Sequence, residues 1–71
     1  MDLLIERANG DLLGIEVKAT ATPRPRDATG LKLLRDKLGG RFRNGFVLHL
    51  GPSLIPMGDK ISSIPLATLW A

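Results

Sequence analysis

The 71-residue chain contains no cysteine. Neither disulfides nor thiolate zinc sites can therefore stabilise it. A domain near this size buries only about 60% of the surface that its unfolded chain exposes. Close packing or oligomerisation must supply the missing stability.

Long apolar runs and targeting signals are missing as well. The longest apolar stretches are too short to cross a bilayer, and Met1-Asp2 gives no basic start for a signal peptide. The sequence has no Gly-x4-Gly-Lys-(Ser/Thr) motif, so nothing in it predicts a phosphate-binding loop for nucleotides. We expect one small domain over residues 1–71, located in the cytoplasm, with no membrane partner.

The net charge of +3 is distributed unevenly. Residues 24–43 hold seven basic residues against two acids, a local charge of +5, whereas the remainder holds three against five, a charge of −2. A basic stretch opposite an acidic cluster suits a metal-dependent nucleic-acid enzyme, although a solvated helix face has the same composition. The candidate nucleic-acid-binding residues are Arg24, Arg26, Lys32, Arg35, Arg41 and Arg43.

The order of apolar and turn residues predicts β-β-α-β-β with a short closing turn. Residues 2–7 and 12–18 read as strands, and the Asn9-Gly10 pair between them is a hairpin signal. The next segment begins after two prolines, has apolar residues at helical spacing, and ends at Gly39-Gly40. The remaining elements are a buried strand at 46–50, a loop or irregular hairpin at 51–58, a strand at 60–64 and a helical turn at 65–70.

This order predicts an α+β (α/β-like) fold, a mixed sheet with one main helix. A strand, a helix and a further strand normally make a right-handed crossover, so 46–50 is expected to pair in parallel with a hairpin strand. The second face of the sheet has no helix of its own. We expect a homodimer, because a large uncovered apolar area marks an interaction site.

The register of the hairpin decides whether Asp2 and Glu16 share a face of the sheet. A two-residue turn would place Asp2 opposite Val17 and send the two acids to opposite faces. A three-residue loop, residues 8–10, would place Asp2 opposite Glu16, with Lys18 on the same face. We predict the longer loop because it also collects one fully apolar face, formed by Leu3, Ile5, Leu13, Ile15 and Val17.

Asp2, Glu16 and Lys18 in that register are the minimal set for metal-assisted phosphodiester cleavage. Two carboxylates hold a hard divalent cation such as Mg²⁺ or Mn²⁺, which prefers oxygen ligands. The metal lowers the pKa of a bound water, and the lysine neutralises developing charge. The simpler interpretation is a solvated acid and lysine on a half-exposed strand.

Three other polar residues are expected to have structural roles. His49 stands in an apolar run, which indicates a hydrogen-bonded core or edge histidine rather than a ligand. Thr20 and Asp27 could support the metal ligands from behind, but as turn or cap residues they need no catalytic role.

Several segments together resemble a known family. They are Asp2, the strand at 12–20, the helix start Asp27…Gly30-Leu31 and the ending Gly58-Asp59…Ile64-Pro65-Leu66…Leu69-Trp70. The chain resembles the restriction-endonuclease-like domain of unknown function at the C-terminus of bacterial and archaeal AAA-type ATPases. It is also similar to the broader Pro-Asp…(Asp/Glu)-x-Lys nuclease superfamily.

The resemblance implies a restriction-endonuclease-like fold with Asp2 and Glu16 as metal ligands and Lys18 as the group that activates water or stabilises the transition state. It further implies that the basic helix, together with Arg41 and Arg43, holds DNA phosphates. The expected function is divalent-metal-dependent hydrolysis of DNA. The alternative is a non-catalytic interaction or oligomerisation module derived from a nuclease fold. A third possibility is DNA binding without cleavage, in which affinity depends on Arg41 and Arg43 but not on Glu16.

The chain departs from the family pattern at its start. It begins at the Asp-bearing strand, without the ATPase domain and without the helix and strand that precede this aspartate in the superfamily core. We therefore expect a C-terminal fragment of a larger family domain. An AAA-type ATPase, or a lost N-terminal domain, is the corresponding expected partner.

Overall fold

A mixed sheet and one α-helix make up the computed structural model, which describes residues 2–70. The elements are β1 (Leu3–Glu6), β2 (Leu12–Val17), α1 (Thr29–Leu38), β3 (Phe42–His49), β4 (Ile55–Gly58) and β5 (Ile61–Pro65). Short 3₁₀ turns lie at Pro25–Ala28, Gly39–Arg41 and Leu66–Trp70. The predicted α+β class is confirmed. Within residues 2–70 no helix has the length and apolar character of a membrane span.

The five strands lie in the order β1-β2-β3-β5-β4. β1 and β4 are antiparallel edge strands, whereas β2, β3 and β5 run parallel to one another. The predicted parallel pairing of the hairpin with the strand after the helix is confirmed by β2 and β3. Because β2, β3 and β5 run parallel, their last residues, Val17, His49 and Pro65, lie side by side at the same end of the sheet.

Two elements differ from the predicted order. β3 begins at Phe42 rather than at 46. The sequence does not predict this extension, because Arg43-Asn44-Gly45 has no apolar pattern typical of a strand. β4 is an additional strand, in the segment predicted to be a loop or irregular hairpin. It contains Pro56, which lacks an N–H group and is tolerated because β4 lies at the edge of the sheet.

The hairpin has the register of the predicted three-residue loop. Leu3 pairs with Ile15, and Glu6 pairs with Leu12. The loop closes through a hydrogen bond of 2.8 Å from the Arg7 N–H to the Asp11 carbonyl. Gly10 has φ 91°, which a glycine adopts without steric cost.

The hydrophobic core lies between α1 and one face of the sheet. Leu31 of α1 is fully buried, as are Phe42 and Val47 of β3. A Cβ atom at Gly45 would lie 2.8 Å from the Phe42 ring and 3.4 Å from Leu31, so the absence of a side chain lets the helix pack close to the sheet.

The opposite side of the sheet, here called the open face, is not covered by α1. Leu3 and Val17 are each 51% exposed, and Ile5 is 39% exposed. By the strand register, the same face is formed by Leu3, Ile5, Leu13, Ile15, Val17, Phe46, Leu48 and Ile64. The predicted apolar face of the hairpin is therefore the outer one.

The segment that follows β2 is fastened to the end of β3. The Lys18 N–H donates to the Leu48 carbonyl at 2.9 Å, and the Leu50 N–H donates to the Thr20 carbonyl at 2.8 Å. Gly51 passes so close to this segment that a Cβ atom there would overlap the carbonyl oxygen of Ala21.

Gly51→Ala is expected to lower the free energy of unfolding by about 1–3 kcal/mol, because the added methyl must displace backbone. Urea denaturation followed by circular dichroism measures the change. Gly40→Ala is the matched control, since a Cβ atom at Gly40 meets no atom within 4 Å. Equal loss of stability in both variants would contradict the close approach.

Ser63→Ala is expected to raise the free energy of unfolding by about 1 kcal/mol. The Ser63 side chain is fully buried on the helix side, and its Oγ has no hydrogen-bond partner among residues 2–70. Ser62→Ala, on the open face, is the control. Thermal denaturation of both variants measures the difference, and destabilisation by Ser63→Ala would show that the hydroxyl group is satisfied.

Candidate functional site

Asp2 lies immediately before β1, alongside Glu16 of β2. Its N–H donates to the Ile15 carbonyl at 3.0 Å, and its carboxylate Oδ2 accepts from the Val17 N–H at 2.6 Å. These two contacts flank Glu16 on its own strand. The carboxylate of Asp2 is thus turned toward the backbone of β2, a contact that takes one of its two oxygens.

Glu16 lies on the helix side of the sheet near the end of β2. It is 9% exposed, and its strand neighbour Val47 is fully buried. Among residues 2–70 it is the only buried acid. Glutamate is seldom buried in soluble proteins, so this position is a candidate functional site on physical grounds.

Lys18 follows β2 and lines a cleft of about 220 Å³. The cleft lies at the C-terminal ends of the parallel strands, which is the usual place for ligands in open α/β sheets. Its lining residues all come from one segment of the chain: Lys18, Ala19, Thr20, Thr22, Arg24, Arg26 and Asp27.

Short-range hydrogen bonds shape this segment. The Thr20 N–H donates to the Lys18 carbonyl at 2.8 Å, and the Thr22 N–H donates to Thr20 Oγ1 at 3.1 Å. The Arg24 N–H donates to Asp27 Oδ2 at 2.8 Å, at the start of the 3₁₀ turn that leads into α1. The predicted turn and cap roles of Thr20 and Asp27 are confirmed.

The cleft concentrates positive charge. Three of its lining residues are cationic, and Asp27 is the only acid among them. Neither Lys18, Arg24 nor Arg26 forms an ion pair within the part of the chain that the structure describes. The structure therefore brings two of the six predicted nucleic-acid-binding residues next to the predicted catalytic lysine.

Two more of the six, Lys32 and Arg35, lie on α1 beside the turn between β4 and β5. Both side chains approach Gly58, and Arg35 Nη1 donates to the Asp59 carbonyl at 3.0 Å. Arg35 also pairs with Asp36 at 3.1 Å. These two residues are thus separate from the cleft.

Arg41 and Arg43 lie at the opposite end of the strands from the cleft, near the hairpin loop. Arg41 pairs with Glu6 at 3.4 Å, and Arg43 pairs with Asp11 at 3.8 Å. The strand residues from 42 to 48 separate them from Lys18, about 20 Å at the usual rise per residue. The structure does not bring these arginines to the cleft.

His49 is 1% exposed, and both of its ring nitrogens are in hydrogen bonds. Nδ1 accepts from the Gly51 N–H at 2.9 Å, which leaves the proton on Nε2, 2.9 Å from the Ser53 carbonyl. The prediction of a hydrogen-bonded core histidine is confirmed.

Carboxylates are the available metal ligands at this site. Within residues 2–70, no three histidine, aspartate or glutamate residues come together as a metal cluster. Two carboxylates still suit Mg²⁺, which is usually held by one or two of them together with water and substrate phosphate. The sequence predicts both acids as ligands, and that remains a prediction; Thr22 and the cleft were not predicted from it. The Thr22-Pro23-Arg24-Pro25 run was the available signal.

No curated protein and no solved structure gives a significant match to the chain. A family model does match, over residues 1–69, and its description is "Domain of unknown function (DUF4143)". The match covers nearly the whole chain, which shows the family. The chain belongs to the DUF4143 family, a domain of unknown function.

Proposed function

We propose that this DUF4143 domain hydrolyses DNA phosphodiester bonds with a divalent metal ion held by Asp2 and Glu16. The observation that carries the proposal is the hairpin register, which sets Asp2 beside Glu16 and places Lys18 just beyond them. The cationic cleft begins at this same lysine. Acids for a metal and cations for phosphates are thus adjacent.

Oxygen ligands fit a hard cation, and Mg²⁺ or Mn²⁺ bound there would lower the pKa of a bound water and polarise a phosphate oxygen. The chain holds both acids in place. Glu16 is fixed by burial in the sheet, and Asp2 is fixed by its 2.6 Å hydrogen bond with the Val17 N–H. Ligands held in this way need little reorganisation when the ion binds.

Lys18 would supply positive charge where the phosphate becomes more negative in the transition state. A fixed cation stabilises that charge without needing to reorganise during the reaction. Its backbone N–H is bonded to the Leu48 carbonyl, which fixes the point from which its side chain reaches the cleft.

DNA longer than the cleft would reach the other basic residues. Lys32, Arg35, Arg41 and Arg43 would then contact phosphates on either side of the site. The resemblance of the residues Asp2, Glu16 and Lys18 to the motif of the nuclease superfamily supports this assignment. The same similarity leads us to propose an AAA-type ATPase as a partner.

Cleavage of labelled duplex and single-stranded DNA in Mg²⁺ or Mn²⁺ is expected to fall at least about 100-fold in Glu16→Gln and in Lys18→Met. The first substitution removes a metal ligand, and the second removes the charge beside the phosphate. Asp36→Asn is the matched control, because Asp36 is an exposed acid on α1 away from the cleft. Circular dichroism checks that each variant is folded.

Equal background cleavage in the wild type, both site variants and the control would contradict catalysis at this site. Chelation of the metal ion with EDTA is expected to abolish DNA cleavage by the wild-type protein. Cleavage that persists in EDTA would contradict the metal requirement alone.

The open face supports a second function, self-association through an interaction module. Large apolar side chains cover one side of the hairpin, and Leu3 and Val17 are half exposed. Burying such a surface against a second copy would stabilise the small domain, which has one α-helix within residues 2–70 and no cysteine for a disulfide. We propose a homodimer formed through this face.

Ile5→Lys is expected to convert the dimer to a monomer, because it places a charge within the apolar contact. Size-exclusion chromatography with light scattering measures the mass. Leu33→Lys is the control, since Leu33 is 67% exposed on α1, away from the open face. A dimer that persists in Ile5→Lys, or that is lost equally in Leu33→Lys, would contradict this interface.

A further inference from the structure

We infer that the cleft at residues 18–27 is a preformed binding site for a single phosphate group and that it binds this group without a metal ion. The inference deepens the proposed function, and it rests on that function for the source of the phosphate, a nucleic-acid backbone. The chemistry shared by all candidate ligands is a tetrahedral phosphate oxyanion.

The cleft gathers cationic side chains. Lys18, Arg24 and Arg26 line one small cleft, and none of them has an acidic partner in residues 2–70. Of the four other arginines, Arg35, Arg41 and Arg43 each pair with an acid within residues 2–70, whereas Arg7 does not. Like charges held close together repel one another, and an anion between them removes that cost.

The acid of the cleft is already in use. Asp27 Oδ2 accepts the Arg24 N–H at 2.8 Å, so this carboxylate caps the 3₁₀ turn. Its single charge leaves the lining with a net excess of two positive charges. That excess matches a phosphate and disfavours a metal cation in the cleft itself.

Hydrogen-bond donors accompany the charge. Thr20 Oγ1 accepts from the Thr22 N–H, which leaves the Thr20 hydroxyl hydrogen available to donate. Thr22 supplies a second hydroxyl to the lining. Arginine guanidinium groups bind phosphate oxygens in a bidentate manner, so Arg24 and Arg26 add directed donors.

Size indicates how much of a ligand the cleft holds. Sites for whole drug-sized ligands measure about 300–1,000 Å³. The cleft, at about 220 Å³, is smaller. It suits one phosphate with the atoms next to it rather than a complete nucleotide with its base.

The backbone of the site is held in place before any ligand binds. Lys18 is hydrogen-bonded to Leu48 of β3, Thr20 is hydrogen-bonded to Leu50 just after β3, and the Arg24 N–H is bonded to Asp27. A preformed site loses little conformational entropy on binding. Lys18 then stands between two half-sites, with carboxylates for a metal on one side and cations for a phosphate on the other.

The test is a titration of the full chain with inorganic phosphate in EDTA at constant ionic strength, followed by amide chemical shifts in NMR spectra. Shifts are expected to concentrate in residues 18–27. The double variant Arg24→Gln/Arg26→Gln is expected to weaken binding at least about tenfold, since it removes two charge-assisted contacts. Both side chains lie on an exposed segment, and circular dichroism checks the fold.

The matched control removes the same amount of charge elsewhere. Lys37→Gln/Lys60→Gln takes two exposed cations, one from α1 and one from the turn between β4 and β5, neither of which lines the cleft. Phosphate affinity is expected to stay unchanged in this variant. No concentrated shifts in residues 18–27, or equal weakening in both double variants, would overturn the inference.

Two further ligands identify the source of the phosphate. A short single-stranded DNA without a terminal phosphate and the same strand with a 5′-phosphate are titrated under the same conditions. Binding of both strands through residues 18–27 supports a backbone phosphodiester, and binding of the phosphorylated strand alone supports a terminal phosphate. If neither strand shifts these residues, the assignment to nucleic acid is overturned.

Glu16→Gln separates this inference from the catalytic proposal. Phosphate binding is expected to survive that substitution, because Glu16 does not line the cleft. If the wild-type protein binds phosphate but cleaves no DNA, the nuclease proposal is contradicted and the phosphate site is supported. If the wild-type protein cleaves DNA but binds no phosphate in EDTA, the phosphate site is contradicted and the nuclease proposal is supported.

Discussion

The register of the β1–β2 hairpin is the constraint on which the rest of the structure depends. Gly10, at φ 91°, completes a three-residue loop, and every residue of the hairpin takes its face of the sheet from that loop. A shift by one residue would exchange the two faces. Glu16 would then leave the helix side, and the apolar residues of β2 would take its place.

The second constraint is the crossover through α1, which makes β2 and β3 parallel. It brings the end of β2 beside the end of β3, where the segment after Val17 is held by hydrogen bonds to Leu48 and Leu50. Gly51 allows the two backbones to approach. The cleft exists because a proline-containing loop is fastened at this edge before the chain enters α1.

Charged residues at the two ends of the strands have different surroundings. Near the hairpin loop, Arg41 and Arg43 pair with acids of the hairpin, contacts that lie at the surface and contribute little stability. At the other end, the cations of the cleft have no such partners within residues 2–70. The basic stretch at 24–43 is therefore not one surface, although it is continuous in the sequence.

Local patterns were enough to predict the hairpin, its register, the helix and the buried histidine. Each depends on residues that are near one another in the chain, such as Asn9-Gly10 or the apolar repeat of α1. β4 and the first half of β3 were not predictable in this way. β4 contains Pro56, and the first half of β3 contains Arg43-Asn44-Gly45, and these residues have a weak preference for strands. Both segments form strands because they pair with strands that are distant in the sequence.

The sequence by itself determined which chemical groups the domain carries and the face of the hairpin on which each acid lies, since both follow from residue type and loop length. Only the tertiary structure decided how these groups are used. It turned one oxygen of Asp2 to the Val17 N–H, separated Arg41 and Arg43 from Lys18, and gathered Arg24 and Arg26 around the cleft. Such outcomes depend on contacts between residues far apart in the chain, which no local pattern encodes.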